Sequence, residues 1–294
     1  MSQSVHIAVM TQECMDGLQP HDGGRYLDCT LGGATHTSEL LRLSAPSGRV
    51  MSLDVDLAAL ARGRDRLVSY GARWKGIESN FRNLLEVMRA EKMLPLDGIL
   101  IDLGFSSDQL EDAEVGLSFK SDGPLDMRFG PSADVTAAEI VNSWRELELT
   151  DIFREYGEER FARRIAAAIV MARKHEKITK TSQLADIVTA AVPSFYEKGR
   201  IHPATRTFQA LRIVVNDELG ALRAAIEAAY EALAPGGRLA IIAFHSLEDG
   251  IVKRAFKDKT KWNALYKRPL IPGDQEVSEN PRSRSAKLRV GEKI

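Results

Sequence analysis

Two short segments near the N-terminus constrain the fold of this chain most. Tyr26-Leu-Asp-Cys-Thr-Leu-Gly-Gly-Ala-Thr-His36 reads as a strand ending at an acid, then a glycine turn, then a helix start. Twenty-two residues after Gly32, Arg49-Val-Met-Ser-Leu-Asp54 reads as a second strand that again ends in an acid. An open α/β sheet holds an adenosine-containing ligand in this way. The glycine turn lets backbone approach the ligand, and the second acid accepts from the ribose hydroxyls.

The pattern continues through the first hundred residues. Strand signals at Tyr26–Cys29, Arg49–Leu53, Lys75–Glu78 and Gly98–Leu103 alternate with helical stretches at Thr37–Leu43, Leu57–Ser69 and Arg82–Met93. Such alternation builds a parallel sheet with helices on both faces. It stops at Gly104 to Pro131, a long segment rich in Gly, Ser and Asp, and only helical signals follow from Thr136 to Tyr196. Phe208, Leu211, Val215, Leu219, Leu222, Ile226, Tyr230 and Leu233 are spaced as one long amphipathic helix ended by Pro235-Gly-Gly237. Strands are then expected at Arg238–Ala243 and Lys287–Val290. The expected organisation is a Rossmann-like α/β domain made of residues 1–105 and 205–294, with residues 106–204 forming a loop and an inserted helical substrate-recognition domain.

The turn fits neither G-x-G-x-x-G nor a P-loop, so a dinucleotide or a nucleoside triphosphate is disfavoured. An adenosine ligand without phosphates, held by acids, remains, and S-adenosyl-L-methionine fits it. Asp28 would lie near its cationic end, Asp54 on the ribose, and Asp102 beside the adenine or the transfer site. An Asp at a strand end is also an ordinary turn former. Phe81, after the third strand, stands where a ring could stack on a base, although a core role is the commoner fate of a lone aromatic.

The two cysteines, Cys14 and Cys29, leave none near the fourth or fifth strand to attack a pyrimidine carbon. An exocyclic amine or an oxygen is the better nucleophile. Asp102-Leu-Gly-Phe105 resembles in outline the Asp-Pro-Pro-Tyr motif of amino-methyltransferases. The overall charge of −1 hides an imbalance: from Lys253 to Ile294 there are 12 Lys/Arg against 5 Asp/Glu. A basic tail points to a polyanionic partner. Arg206, Gln209, Arg212 and Asn216 make a polar stripe suited to nucleic acid, and Arg282 and Arg284 add cations in the tail; the bland readings are a solvent face and a charged edge strand. No apolar run approaches the roughly 20 residues of a membrane span, no signal peptide opens the sequence, and the histidines lack metal-ligand spacing. A cytoplasmic protein without a metal is expected.

Five stretches together resemble one family. They are Asp97-Gly-Ile-Leu-Ile-Asp-Leu-Gly104, Asp122-Gly-Pro-Leu-Asp-Met-Arg128, His202-Pro-Ala-Thr-Arg-Thr-Phe-Gln-Ala-Leu-Arg212, Phe244-His-Ser-Leu-Glu-Asp249 and Asn280-Pro-Arg-Ser-Arg-Ser-Ala-Lys287. Over nearly its whole length the chain is similar to the bacterial 16S ribosomal RNA cytosine-N4-methyltransferases, the RsmH or MraW family. The resemblance implies a class I S-adenosyl-L-methionine-dependent methyltransferase fold and N4-methylation of a cytidine in the decoding centre of the small ribosomal subunit. It implies cofactor contacts at Ala34, Thr35, His36, Asp54, Phe81, Asp102 and Gln109, with Asp102 also catalytic. Ala34-Thr35 stand where the family usually has two glycines. The alternative is a non-catalytic RNA-binding or ribosome assembly factor on the same fold. Whether the protein is a monomer or a homodimer stays open.

Overall fold

The computed structural model describes residues 8–104, 115–119, 121–130, 133–196 and 201–294. The chain divides into two compact units, one from residues before 107 together with Leu219–Ile294, the other from Ser107–Glu218.

The first unit is built on a seven-stranded sheet in the order β3-β2-β1-β4-β5-β7-β6. Its strands are β1 (Arg25–Asp28), β2 (Arg49–Asp54), β3 (Trp74–Glu78), β4 (Leu96–Asp102), β5 (Leu233–Ala243), β6 (Trp262–Ala264) and β7 (Lys287–Lys293). Strands β1 to β5 run parallel, while β7 pairs antiparallel with both β5 and β6. The central strands are apolar on both faces: Leu27, Ile99, Leu100, Ile101 and Ile241 are fully buried. That is the signature of a parallel sheet covered on each side. Tyr26 pairs with Val50 on one side and Gly98 on the other. A Cβ at residue 98 would lie 2.9 Å from the Tyr26 ring, so only glycine fits there.

Helices α1 (Thr11–Leu18), α2 (Thr35–Leu43), α3 (Leu57–Arg66) and α4 (Leu84–Ala90) accompany this sheet. The sequence reading did not find α1, although Cys14, Met15 and Leu18 share its buried face. Strand order reverses beside β1, between β2 and β4. A crevice opens at the carboxyl ends of the strands at such a point, and Asp28, Asp54 and Asp102 are the last residues of β1, β2 and β4.

The second unit contains α5 (Ala137–Ser143), α6 (Glu146–Glu155), α7 (Ala162–Ala172), α8 (Thr181–Ala191) and α9 (Thr205–Asn216). Its core includes Ile140, Leu149, Phe153, Ile165, Ile169, Leu184, Val188 and Leu211. Thr136 and Glu139 cap α5 reciprocally. The described part of the long Gly- and Asp-rich segment is tied into this unit. Leu125 N donates to Thr179 O at 2.8 Å, and Met127 N to Val115 O at 2.8 Å. Asp126 takes Arg128 on both carboxylate oxygens, at 2.7 and 2.8 Å.

Two expectations are corrected here. The long helix is two helices, α9 and α10 (Glu218–Ala232), separated by Asp217 at φ 45° and ψ 45°. Asp is among the few non-glycine residues that tolerate this left-handed region. The apolar spacing runs on through the break, which is why it reads as continuous. Helix α9 packs on α5 and α6 and belongs to the second unit. Strand β5 likewise starts at Leu233, earlier than its apolar run, with an irregular register opposite Leu96 and Gly98. No helix among the described residues is long and apolar enough to cross a membrane.

Asn216 fastens the end of α9 by donating to Met127 O at 2.8 Å and Arg212 O at 3.0 Å, and by accepting from Phe129 N at 2.8 Å. Asn216→Ala should therefore cost about 2 kcal/mol, since buried polar partners lose their bonds. The check is the urea midpoint of unfolding, which should fall.

Candidate active site

The site is assembled at the carboxyl ends of β1, β2 and β4. Asp28 is fully buried and accepts from Thr37 Oγ1 at 2.7 Å and from Thr30 N at 3.1 Å. Thr37 in turn contacts Ser52 Oγ at 2.8 Å, and Ser52 accepts from Trp74 Nε1 at 3.1 Å. Residues of β1, α2, β2 and β3 are thus joined through one polar thread. Burial pushes the Asp28 carboxyl up to about 7, against the lowering effect of its hydrogen bonds to Thr37 and Thr30.

Asp54 closes the glycine turn. Gly32 N donates to its Oδ2 at 2.9 Å, and Asp56 N to its Oδ1 at 2.9 Å. Each oxygen retains a further acceptor position, so Asp54 can hold the turn and still accept from a ligand. Burial raises its carboxyl above the ordinary range. After the turn, Ala34 sits at φ 61° and ψ 18° before the first residue of α2, Thr35. A side chain there costs roughly 1 kcal/mol relative to glycine. The ring of Phe81 follows β3 and is half-buried. Ser79 N, at the end of that strand, bonds to Asp54 O at 3.0 Å.

Asp102 carries the feature that most resembles a reactive group. Its backbone N donates to Thr30 Oγ1 at 2.9 Å. Its Oδ1 is buried and has no hydrogen-bond partner among the described residues. A buried carboxylate oxygen without a donor is expensive and calls for a donor that the described protein atoms do not supply. Burial, and then the charges of Asp28 and Glu248, push the Asp102 carboxyl well above the usual range. His36 lies beside it, with Nδ1 3.9 Å from Asp102 Oδ2 and Nε2 3.0 Å from Val9 O. A carbonyl oxygen only accepts, so Nε2 carries hydrogen and a neutral His36 presents an unprotonated Nδ1 to Asp102. Gly104, just after β4, has φ 104° and packs near Phe244.

Phe244-His-Ser-Leu-Glu-Asp249 begins α11 (Ser246–Ala255). Glu248 is buried and accepts from Phe244 N at 2.8 Å and His245 N at 3.2 Å. The motif is therefore a helix cap that also places a carboxylate within electrostatic reach of Asp102. The roles of Thr30, Thr37 and Glu248 escaped the sequence reading. Their only local signal is a hydroxyl or acid within a few residues of a strand end. Gln109 and Phe105 lie outside the described residues.

The residues of the expected RNA stripe have protein partners. Arg212 forms a bidentate pair with Glu218, at 2.7 and 2.9 Å, with side chains only 13% and 11% exposed. Gln209 Nε2 donates to Tyr156 O at 2.9 Å, and Arg206 Nη1 to Glu158 O at 2.9 Å. These groups tie α9 into its own unit, so the stripe is not an open solvent face. Arg282 and Arg284 are exposed on either side of buried Ser283, in a short 3-10 turn (Pro281–Ser285).

The raised Asp28 carboxyl yields a pH prediction. Its folded value, about 7, lies above the ordinary 3.8. The stabilisation it brings is complete below pH 4 and is lost as pH rises through 7, by roughly 4 kcal/mol at most. Asp28→Asn should flatten that part of the stability profile, read as thermal midpoints between pH 4 and 8. At the turn, Ala34→Gly should leave stability within about 1 kcal/mol, as measured by the same midpoints at pH 7.

The profile of the MraW methylase family matches residues 3–294. The chain is 48% identical over 289 residues to the ribosomal RNA small subunit methyltransferase H of Synechococcus elongatus, covering 98% of this chain and 95% of that protein. It is 46% identical to the proteins of the same name from Heliobacterium modesticaldum, over 98% of each chain, and Geobacter sulfurreducens, over 98% of this chain and 99% of that one. An rRNA methylase structure from Streptococcus thermophilus superposes with a TM-score of 0.46 at 14% identity, over 98% of both chains. The whole-chain match and relatives at this level of identity show that the chain belongs to the MraW methylase family, whose methyl donor is S-adenosyl-L-methionine.

Proposed function

We propose that this protein methylates the exocyclic N4 amine of a cytidine in the decoding centre of 16S ribosomal RNA, within the small ribosomal subunit. The observation that carries the chemistry is the buried Asp102 oxygen without a donor at the end of β4. The relatives' shared name, ribosomal RNA small subunit methyltransferase H, supports the choice of RNA.

S-adenosyl-L-methionine supplies an electrophilic methyl group on a sulfonium. The residues present suit such a donor: three acids end β1, β2 and β4 where the strand order reverses, Asp54 keeps free acceptor positions for hydroxyls, and Phe81 offers a half-buried ring. Asp102 accepts an N–H of the target amine, which holds the nitrogen lone pair toward the methyl, and its carboxylate takes that proton as the new N–C bond replaces the S–C bond and a neutral thioether leaves. Thr30 fixes the backbone at Asp102. Alignment and exclusion of water carry most of the rate for a direct substitution of this kind. In this reading Arg282 and Arg284 contact RNA phosphates, while Arg206, Gln209 and Arg212 hold α9 in place. The protein works in the cytoplasm, where small subunits are assembled.

Two variants test this reading. Asp54→Ala should weaken S-adenosyl-L-methionine binding at least 10-fold in calorimetry. Asp102→Asn should cut methyl transfer to small subunits about 100-fold or more at saturating donor. The product is read as N4-methylcytidine by nucleoside mass spectrometry. Methyl transfer at wild-type rate in the Asp102 variant, or a product methylated at another atom, would overturn it. Donor binding without any transfer to small subunits would favour the assembly-factor reading.

A further inference from the structure

The second unit carries a concentration of charge that the site does not use. From Arg160 to Lys180 the sequence has seven Lys/Arg and a single acid, Glu176. Arg160, Arg163, Arg164, Lys174 and Lys177 are exposed. Two cations of this stretch are occupied: Lys180 pairs with Asp122 at 3.2 Å, and Arg173 donates to Val141 O at 2.7 Å. Arg163 has no hydrogen bond, ion pair or ring contact among the described residues.

Arg160 and Arg164 are held differently. The Arg160 guanidinium lies 6.0 Å from the centroid of the Phe161 ring and 5.8 Å from that of Tyr196. Arg164 lies 5.8 Å from the Phe161 centroid. The two rings meet edge to face at 4.9 Å. Buried Glu159 anchors them, accepting from Tyr196 Oη at 2.8 Å and Phe161 N at 2.7 Å. That carboxylate is therefore already engaged by neutral donors. Phe195, next in the chain to Tyr196, is 67% exposed.

We propose that Arg160, Arg163 and Arg164, with Phe161, Tyr196 and Phe195, form an RNA-binding platform of the helical unit. Guanidinium groups resting on rings keep their charge and their N–H edges while losing little freedom on binding, and so meet phosphates at low entropic cost. The exposed ring of Phe195, one residue before Tyr196, suits an unpaired base, because stacking is available to every base. Arginine and aromatic side chains together favour single-stranded or loop RNA over a regular duplex, whose bases are already stacked. The platform replaces the closed α9 stripe as this unit's contact with the polyanion. It rests on the proposed action on ribosomal RNA.

The test is titration of protein-free 16S ribosomal RNA by the full-length protein between 50 and 200 mM salt, with S-adenosyl-L-methionine calorimetry in parallel. Arg163→Ala should weaken RNA binding about threefold. The triple variant R160A/R163A/R164A should weaken it more than 10-fold and lower the slope of log Kd against log salt by about 2, as three fewer contacts to a single strand predict. Donor affinity should not change. R160K/R164K, which keeps the charge, should keep the salt slope. If wild type binds RNA steeply and the triple variant is indistinguishable from it, the platform is wrong and the proposed activity stands. If wild type neither binds RNA nor methylates small subunits, the proposed activity fails first. Should the triple variant unfold by circular dichroism, Arg163→Glu decides alone: unchanged RNA affinity overturns the platform, and loss above 10-fold supports it.

Discussion

The buried carboxylate of Asp28 is the contact on which the first unit's site depends. It sits at the end of β1 and accepts from Thr37 on α2 and from the amide of Thr30. Thr30 then accepts from the amide of Asp102. One side chain therefore sets the start of α2, the turn after β1 and the end of β4. A carboxyl is a costly choice for so dry a place. An aliphatic residue would avoid the cost but would leave the Thr30 amide and the Thr37 hydroxyl without their acceptor.

The same burial gathers three acids in a small volume. Burial raises Asp28 and Asp102 most, and neighbouring acids add to it, Asp54 at Asp28 and both Asp28 and Glu248 at Asp102. Mutual repulsion of this kind makes a cationic ligand the natural complement of the crevice. A sulfonium brings the needed charge without a proton to lose, so its attraction to the acids does not depend on its own titration.

Much of this was legible in the sequence because the signals are local. A strand ending in an acid, then a glycine turn, places Asp28, Asp54 and Asp102 within a residue or two of where they lie. The break at Asp217 was not legible, because the apolar period passes through it unchanged and only the backbone angle at one residue differs. The fate of Arg212 was hidden for another reason: beyond that break, Glu218 meets the guanidinium in a bidentate pair. The α9 stripe reads as open to nucleic acid because its partners, the carbonyls of Tyr156 and Glu158, come from backbone that no side-chain pattern announces. By contrast Arg160 and Arg164 stand next to or near Phe161 in sequence, yet the stack also needs Tyr196, far along the chain.

The pairing of β4 with β5 has a consequence for how the chain reaches its native state. Ile99 lies opposite Leu239, and the whole helical unit stands between them in sequence. Closing so long a loop is entropically costly if the intervening chain is loose. The contacts within α5 to α8 join neighbours in sequence, and local contacts form fast. A helical unit that condenses early turns a long flexible loop into a short tether around a compact body. Early condensation of the helices would lower the entropic cost of pairing the strands on either side of the insertion.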